Sequence, residues 1–341
     1  MHRSKIDLAS QTMQTQTHNS DIDQGKLAKP NSLSKSDWQA RAKSHREAIC
    51  RWTKPYRIRR RARQSHPVQD FLFVYYRYSS KKLETWHPGA GVRLEGAADH
   101  RRQFPDQAYR RVDGNDLVCD SKMMSLKLQT SLRWIVDLLK RTQQNRPNFS
   151  CFGLHEWAMV YHGQDVRHEK TTKLRLSQKE IDDVVQSRPL TCTHFDAFRF
   201  YAIDAKPLNR TQLTLEDRPS QEQPACIHAN MDLYKWAFRS MPWIGSDLLS
   251  RCFELALLAR EIDMRASPYD LSDLADGQQY PPIKIETAEG RIEYELRQRE
   301  IAQQAAMLRG ELISRIESVL ENAQRHRPSD NLGFDSGPDV T

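Results

Sequence analysis

No run of eighteen apolar residues occurs in the 341-residue chain, so a membrane-spanning helix is excluded and no membrane partner is expected. The opening stretch, MHRSKIDLASQTMQTQTHNS, is polar and lacks the apolar centre of a secretory signal, which points to a cytoplasmic protein. Cysteine is scarce and scattered. Cys50, Cys119, Cys151, Cys192, Cys226 and Cys252 include no CxxC pair, which fits reduced core thiols better than a disulfide frame or a four-cysteine zinc site. HExxH is missing too, which leaves no strong zinc signature. There is no internal repeat and no Gly/Ser linker in mid-chain. Only the polar, Pro-containing stretch RTQLTLEDRPSQEQP (210–224) offers a place where two lobes would part.

Residues 1–35 are rich in Gln, Ser, Thr, Asn and Lys and cannot bury enough apolar surface to offset ordering entropy, so they read as a disordered tail, as do 326–341 with their Pro, Gly, Ser and Asp. Between them, 36–325 form the expected core. Trp38, Ala42, His45, Ile49 and Trp52 follow helical spacing until Pro55 interrupts it, with a short second helix after it. The spacing predicts further helices over 130–141, 154–162, 178–187, 229–240 and 246–265. HPVQDFLFVYYRYSS (66–80) is a buried segment of either kind, and VRLEG (92–96) and KLRLS (173–177) alternate like short strands. A final helix over about 288–323 carries Ile292, Leu296, Ile301, Ala305, Leu308, Leu312, Ile316 and Val319 as its apolar stripe. The expected fold is mainly α with minor β, a single helical domain with a long C-terminal helix.

Charge is concentrated in one place. Between Arg41 and Arg63 there are ten Lys/Arg and one acid, Glu47, a net +9 against +8 for the whole chain. This basic helical segment (38–63), interleaved with Trp52 and Tyr56, has the composition of a surface that tracks phosphates, with Arg57, Arg59, Arg60, Arg61 and Arg63 as the DNA-binding candidates. A solvated helix face paired with acids elsewhere explains the same residues equally well.

Chemistry-bearing side chains gather in five polar-aromatic segments, 86–96, 153–170, 193–201, 226–238 and 261–271. Buried polar groups need partners, so their convergence on one pocket is the default expectation for a site. His194, Asp196 and His228 follow the order of a two-histidine, one-carboxylate metal triad, which is the metal alternative; otherwise no metal and no cofactor is expected. His155 and His162 share a helix face with His168 beyond them, and read as capping or core groups. HPGAGV (87–92) is the only glycine cluster. It suits a turn whose N–H groups face a phosphate, with Asp113 following Gly91 by 22 residues.

Taken together, HPVQDFLFVYYRY, WHPGAGVRLEGA, THFDAFRF, PLNR, CIHANMDLYKWAF, EIDMRASPYDL and IKIETAEGRIEY resemble a bacterial family, common in actinobacteria, that is generally labelled 3-methyladenine DNA glycosylase; the likeness spans about 38–325. The resemblance implies base excision repair, by hydrolysis of the N-glycosidic bond to an alkylated purine in damaged duplex DNA. Such chemistry stacks a flipped base on aromatics and uses a carboxylate to position water. The stacking candidates are Tyr75, Tyr76, Trp86, Phe195, Phe198, Tyr234 and Trp236. The catalytic candidates are Asp196, Asp232 and Asp263, with His194 and His228 beside them. An enzyme acting on a small heterocycle or nucleobase, and a nucleic-acid-binding protein without catalysis, are the competing expectations.

Overall fold

A computed structural model describes residues 31–163, 172–274 and 279–325. The tails expected over 1–35 and 326–341 therefore lie outside the described residues, except at 31–35. There the chain is built into the fold. Ser32–Leu33 (β1) pairs in parallel with Arg93–Leu94 (β2), and Ser34 caps the helix Lys35–Arg61 (α1) by accepting the Asp37 N–H at 3.2 Å.

One continuous helix replaces the two expected on either side of Pro55. The proline removes one helical hydrogen bond, but tertiary contacts carry the helix past it. Tyr56 stacks on Phe73 with centroids 4.5 Å apart, Arg57 grips Glu84, and Arg59 holds Asp70 bidentately. Two short helices follow, Phe71–Tyr75 (α2) and Ser80–Glu84 (α3). The hairpin Tyr109–Arg111 (β3) and Leu117–Cys119 (β4) then completes a small sheet of order β1-β2-β4-β3. β4 runs antiparallel to both neighbours, with Arg93 opposite Val118. The Trp38 indole, donating to the Glu95 carbonyl at 3.0 Å, ties α1 to this sheet.

The remaining elements are helices, the longer ones where the apolar spacing predicts them and the two four-residue helices beyond that prediction. Leu126–Gln144 (α4), Leu154–Met159 (α5), Gln178–Gln186 (α6), Phe195–Phe198 (α7), Arg218–Gln221 (α8), Ile227–Arg239 (α9), Ser246–Arg265 (α10) and Ala288–Gln324 (α11) follow in order. The fold is mainly α with minor β and ends on a 37-residue helix. Segment 173–177 forms no strand; Leu174 makes a single bridge to Tyr269. The stretch 210–224, expected to be a linker, instead turns inward and buries Arg218, Glu222 and Gln223.

α11 packs on α4, α9 and α10. Its buried stripe begins at Tyr294 and Gln298, while Ile292 and Leu296 face outward. The step from Leu296 to Ile301 is five residues, which breaks a helical stripe, whereas 294, 298, 301 and 305 keep steps of four, three and four. The start of α11 is tightly packed. A Cβ on Gly290 would lie 1.9 Å from the Lys284 carbonyl oxygen, which also accepts from Thr287. Gly290→Ala is therefore expected to lower stability by about 3 kcal/mol through overpacking. Gly310→Ala, whose Cβ meets nothing within 4 Å, should raise it by about 0.5–1 kcal/mol through helix propensity. Urea unfolding of the pair checks both signs.

Candidate functional site

His228, Asp232, Lys235 and Arg239 succeed one another on α9 at steps of four, three and four, so a polar stripe runs down one helix face. Asp232 is its hub. Tyr76 donates its hydroxyl to Asp232 Oδ1 at 2.7 Å, while Arg218 and Lys235 each reach Oδ2 at 3.1 Å. Lys235 also donates to Asp196 Oδ2 at 3.3 Å, and Arg199 lies 3.1 Å from Asp196 Oδ1. Arg218 Nε donates to Glu222 at 2.7 Å. Burial works against a charge on Asp232, but Lys235, His194 and Arg218 hold its carboxyl well below the usual carboxylate range. The same acids raise Arg218 against the pull of its own burial.

His194 caps α7 and turns its ring into this network. Its Nε2 stands 3.5 Å from Asp232 and 3.6 Å from Glu222, yet neither ring nitrogen makes a hydrogen bond among the described residues. Asn209, from the PLNR stretch, holds this segment in place by accepting from Cys192 N–H at 2.8 Å and donating to Cys192 C=O at 3.1 Å.

A second polar group lies beyond it. The His228 ring stacks near His194, centroids 5.5 Å apart, and meets His155 edge-on at 4.2 Å. His155 Nε2 approaches Asp263 at 3.1 Å. Arg260 donates to Glu156 at 2.6 Å and to Asp263 Oδ2 at 3.0 Å, with its guanidinium 3.8 Å over Phe71. Burial disfavours a charge on His155, but Asp263, then Cys151 and Glu156, push its pKa well above the usual imidazole range. Burial and the neighbouring His155 and His194 push His228 the other way. A small cavity of about 10 Å³ opens beside His155 and His228, walled also by Cys151, Cys192, Cys226 and Gln298.

Four of the five polar-aromatic segments thus meet: His155, His194 with Asp196, His228 with Asp232, and Asp263. The fifth, 86–96, lies apart from this network. The N–H groups of its glycine turn are already used, Ala90 donating to Trp243 C=O and Gly91 to Cys119 C=O at 2.8 Å each, so the expected phosphate cradle does not form. Asp113 sits exposed at the sheet edge, paired with Arg93 at 2.8 Å. The metal alternative His194–Asp196–His228 is not assembled, because Asp196 faces Lys235, Arg199 and Arg218; among the described residues the donor atoms that approach within 4.8 Å of one another are those of His155, His228 and Asp263. His162 pairs with Asp204 at 3.0 Å, and His168 lies outside the described residues.

The aromatic candidates divide by exposure. Tyr234 is ringed by Tyr76, Tyr78, Phe238 and Phe253, and Trp236 by Trp134, Arg218 and Lys235, so neither has a free face for a base. Phe198 is buried against Tyr201 and Phe195 is half-buried. Trp86 is itself largely buried but forms part of the wall of an open groove of about 630 Å³ together with Lys43, Arg46, Arg57, Arg61, Lys81, Arg102 and a single acid, Glu84. Of the arginine candidates, Arg57 and Arg59 are tied to Glu84 and Asp70, whereas Arg60, Arg61 and Arg63 stand exposed.

Sequence reasoning missed Arg218, Glu222, Lys235, Arg260 and Glu156. The steps 228–232–235 carried the signal, since charged residues repeating at helical spacing inside apolar sequence mark a buried polar face, whereas 218 and 222 sit in a polar stretch that carries none. No family model matches this chain, and comparison with curated proteins and with solved structures finds no match.

Proposed function

We propose that the protein binds duplex DNA along the groove between α1, α3 and the loop at Arg102. The observation that carries this reading is the charge of that groove, six cations against one acid, with the acid already engaged by Arg57. Lys43, Arg46, Arg61, Lys81 and Arg102 are exposed, and cations lining an open channel release condensed counterions when they meet phosphates. Trp86 supplies an aromatic wall, and Arg60 in the last turn of α1 and Arg63 just past it add further exposed charge.

Five phosphate contacts give a slope of about −4.5 in log K against log salt. Fluorescence anisotropy with a labelled duplex is expected to show affinity falling several hundred-fold between about 50 and 200 mM salt. Binding that ignores salt, or no binding by folded protein, overturns the reading and favours a small-molecule ligand.

Hydrolysis of the N-glycosidic bond of an alkylated purine is the second reading, supported by Asp196. This carboxylate and Lys235 reach the surface at the mouth of the buried network, with side chains 15% and 17% exposed. Tyr75 and Phe200 pack against each other nearby, centroids 6.4 Å apart. In this reading Asp196 positions the attacking water and Lys235 holds Asp196. Release of 3-methyladenine from methylated duplex should then fall at least 100-fold in Asp196→Asn, and excision at the wild-type rate sinks the assignment.

A further inference from the structure

We propose that His155, His228 and Asp263 bind one divalent first-row transition ion, a site independent of the DNA groove and of Asp196. Three observations on three different helices carry it. The donor atoms of the three side chains all lie within 4.8 Å of one another. His228 makes no hydrogen bond among the described residues, so a ring at the wall of a buried polar cluster has a free lone pair. Asp263 Oδ1 is buried and faces His155 Nε2 at 3.1 Å without a hydrogen bond of its own, while Oδ2 takes both Arg260 at 3.0 Å and His155 Nε2 at 3.2 Å.

Asp263 with Glu156 and Arg260 sums to one negative charge, which a bound cation neutralises. A bound ion takes the position between His155 Nε2 and Asp263 Oδ1, which stand 3.1 Å apart. Arg260 stays in place on Oδ2, bridging Asp263 and Glu156, and so orients the ligating carboxylate.

The dimensions agree. An ion at about 2.1 Å from each donor keeps the donors roughly 3–4 Å apart, so the cluster closes with shifts of about an ångström. The cavity beside His155 and His228, about 10 Å³, has room for one water-sized occupant, which provides a further coordination position. Two imidazoles and one carboxylate favour Fe(II), Co(II), Ni(II) or Zn(II) over Mg(II) and Ca(II), which prefer all-oxygen sets. Cys151, Cys192 and Cys226 line the same cavity, but their sulfurs are not among the donor atoms that gather within 4.8 Å among the described residues, so they are neighbours rather than ligands.

The test uses the full-length chain, stripped with chelator and titrated with Co(II), followed by visible absorption and by thermal melting. One Co(II) per chain with d–d bands, no thiolate charge-transfer band and a Tm that rises with cobalt concentration is expected. His228→Asn removes the ligand that has no hydrogen bond to lose, so it should fold; it is expected to weaken Co(II) binding at least 100-fold while the apo Tm stays near wild type. Asp263→Asn should weaken binding as well. Three outcomes overturn the proposal: no cobalt spectrum and no Tm shift in folded wild type, undiminished binding in His228→Asn, or a charge-transfer band that vanishes in Cys151→Ser.

Discussion

Asp232→Ala is expected to destabilise the fold by about 3–5 kcal/mol, the range found when one partner of a buried ion pair is removed. The size follows from what is left behind. Arg218 is 5% exposed and would keep Glu222 as its close partner, but its Nη2 would lose its acceptor at 3.1 Å. Lys235 would retain only Asp196, and the Tyr76 hydroxyl would lose its 2.7 Å bond in a site where burial has already raised that phenol well above its usual range. Arg218 is too deeply buried for water to replace its acceptor, while Lys235 reaches the surface, and each orphaned buried group carries a desolvation penalty. Urea unfolding measures the loss. A cost below about 1 kcal/mol would mean that water enters and the network is not closed.

The same carboxylate sets an acid limit. Its folded pKa is depressed, so its contribution to stability is full above the unfolded value of about 4 and is lost as pH falls below that toward the folded value. Glu84, held by Thr53 and then Arg57, and Asp120, Asp247 and Glu286, held by their arginine partners, are depressed as well and add to the trend. The urea midpoint is therefore expected to drop between pH 5 and pH 3, and in Asp232→Asn to start lower and drop less.

The helices were legible because their apolar residues repeat at 3.6-residue spacing, and α10 has the boundaries that its pattern predicts. What was not legible depends on distant partners. The continuation of α1 past Pro55 rests on Phe73, Glu84 and Asp70, which no local rule connects to it. The inward turn of 210–224 has the composition of a linker, and the buried acids Glu222 and, from a distant helix, Asp232 explain why Arg218 belongs inside. The site was half visible. His155, His194, Asp196, His228, Asp232 and Asp263 stood out as polar groups in apolar surroundings, but which carboxylate faces which histidine is a matter of helix rotation. That is why the metal-like order of His194, Asp196 and His228 in the chain yields in space to His155, His228 and Asp263.

The block of positive charge shows the same limit from the other side, and it leads to the second large expected effect. Composition singled out Arg57, Arg59, Arg60, Arg61 and Arg63 within the basic segment without separating them, yet the fold divides them. Arg59 is spent on Asp70 and Arg57 on Glu84, while Arg46 and Arg61 line the groove beside Lys81 and Arg102 from elsewhere in the chain. Replacing Arg46, Arg61 and Arg102 together by alanine removes three exposed cations with little structural cost, since exposed charges contribute little to stability. DNA affinity is expected to fall on the order of 10²–10³-fold at about 0.1 M salt, and the salt slope to lose about 2.7 units, about 0.9 for each phosphate contact removed. Arg59→Ala is the contrasting variant. It should lower stability by releasing the buried Asp70 while leaving the salt slope unchanged. If instead Arg59→Ala flattened the slope and the triple variant did not, the phosphates would follow the far face of α1, and the groove at Trp86 would have no part in binding.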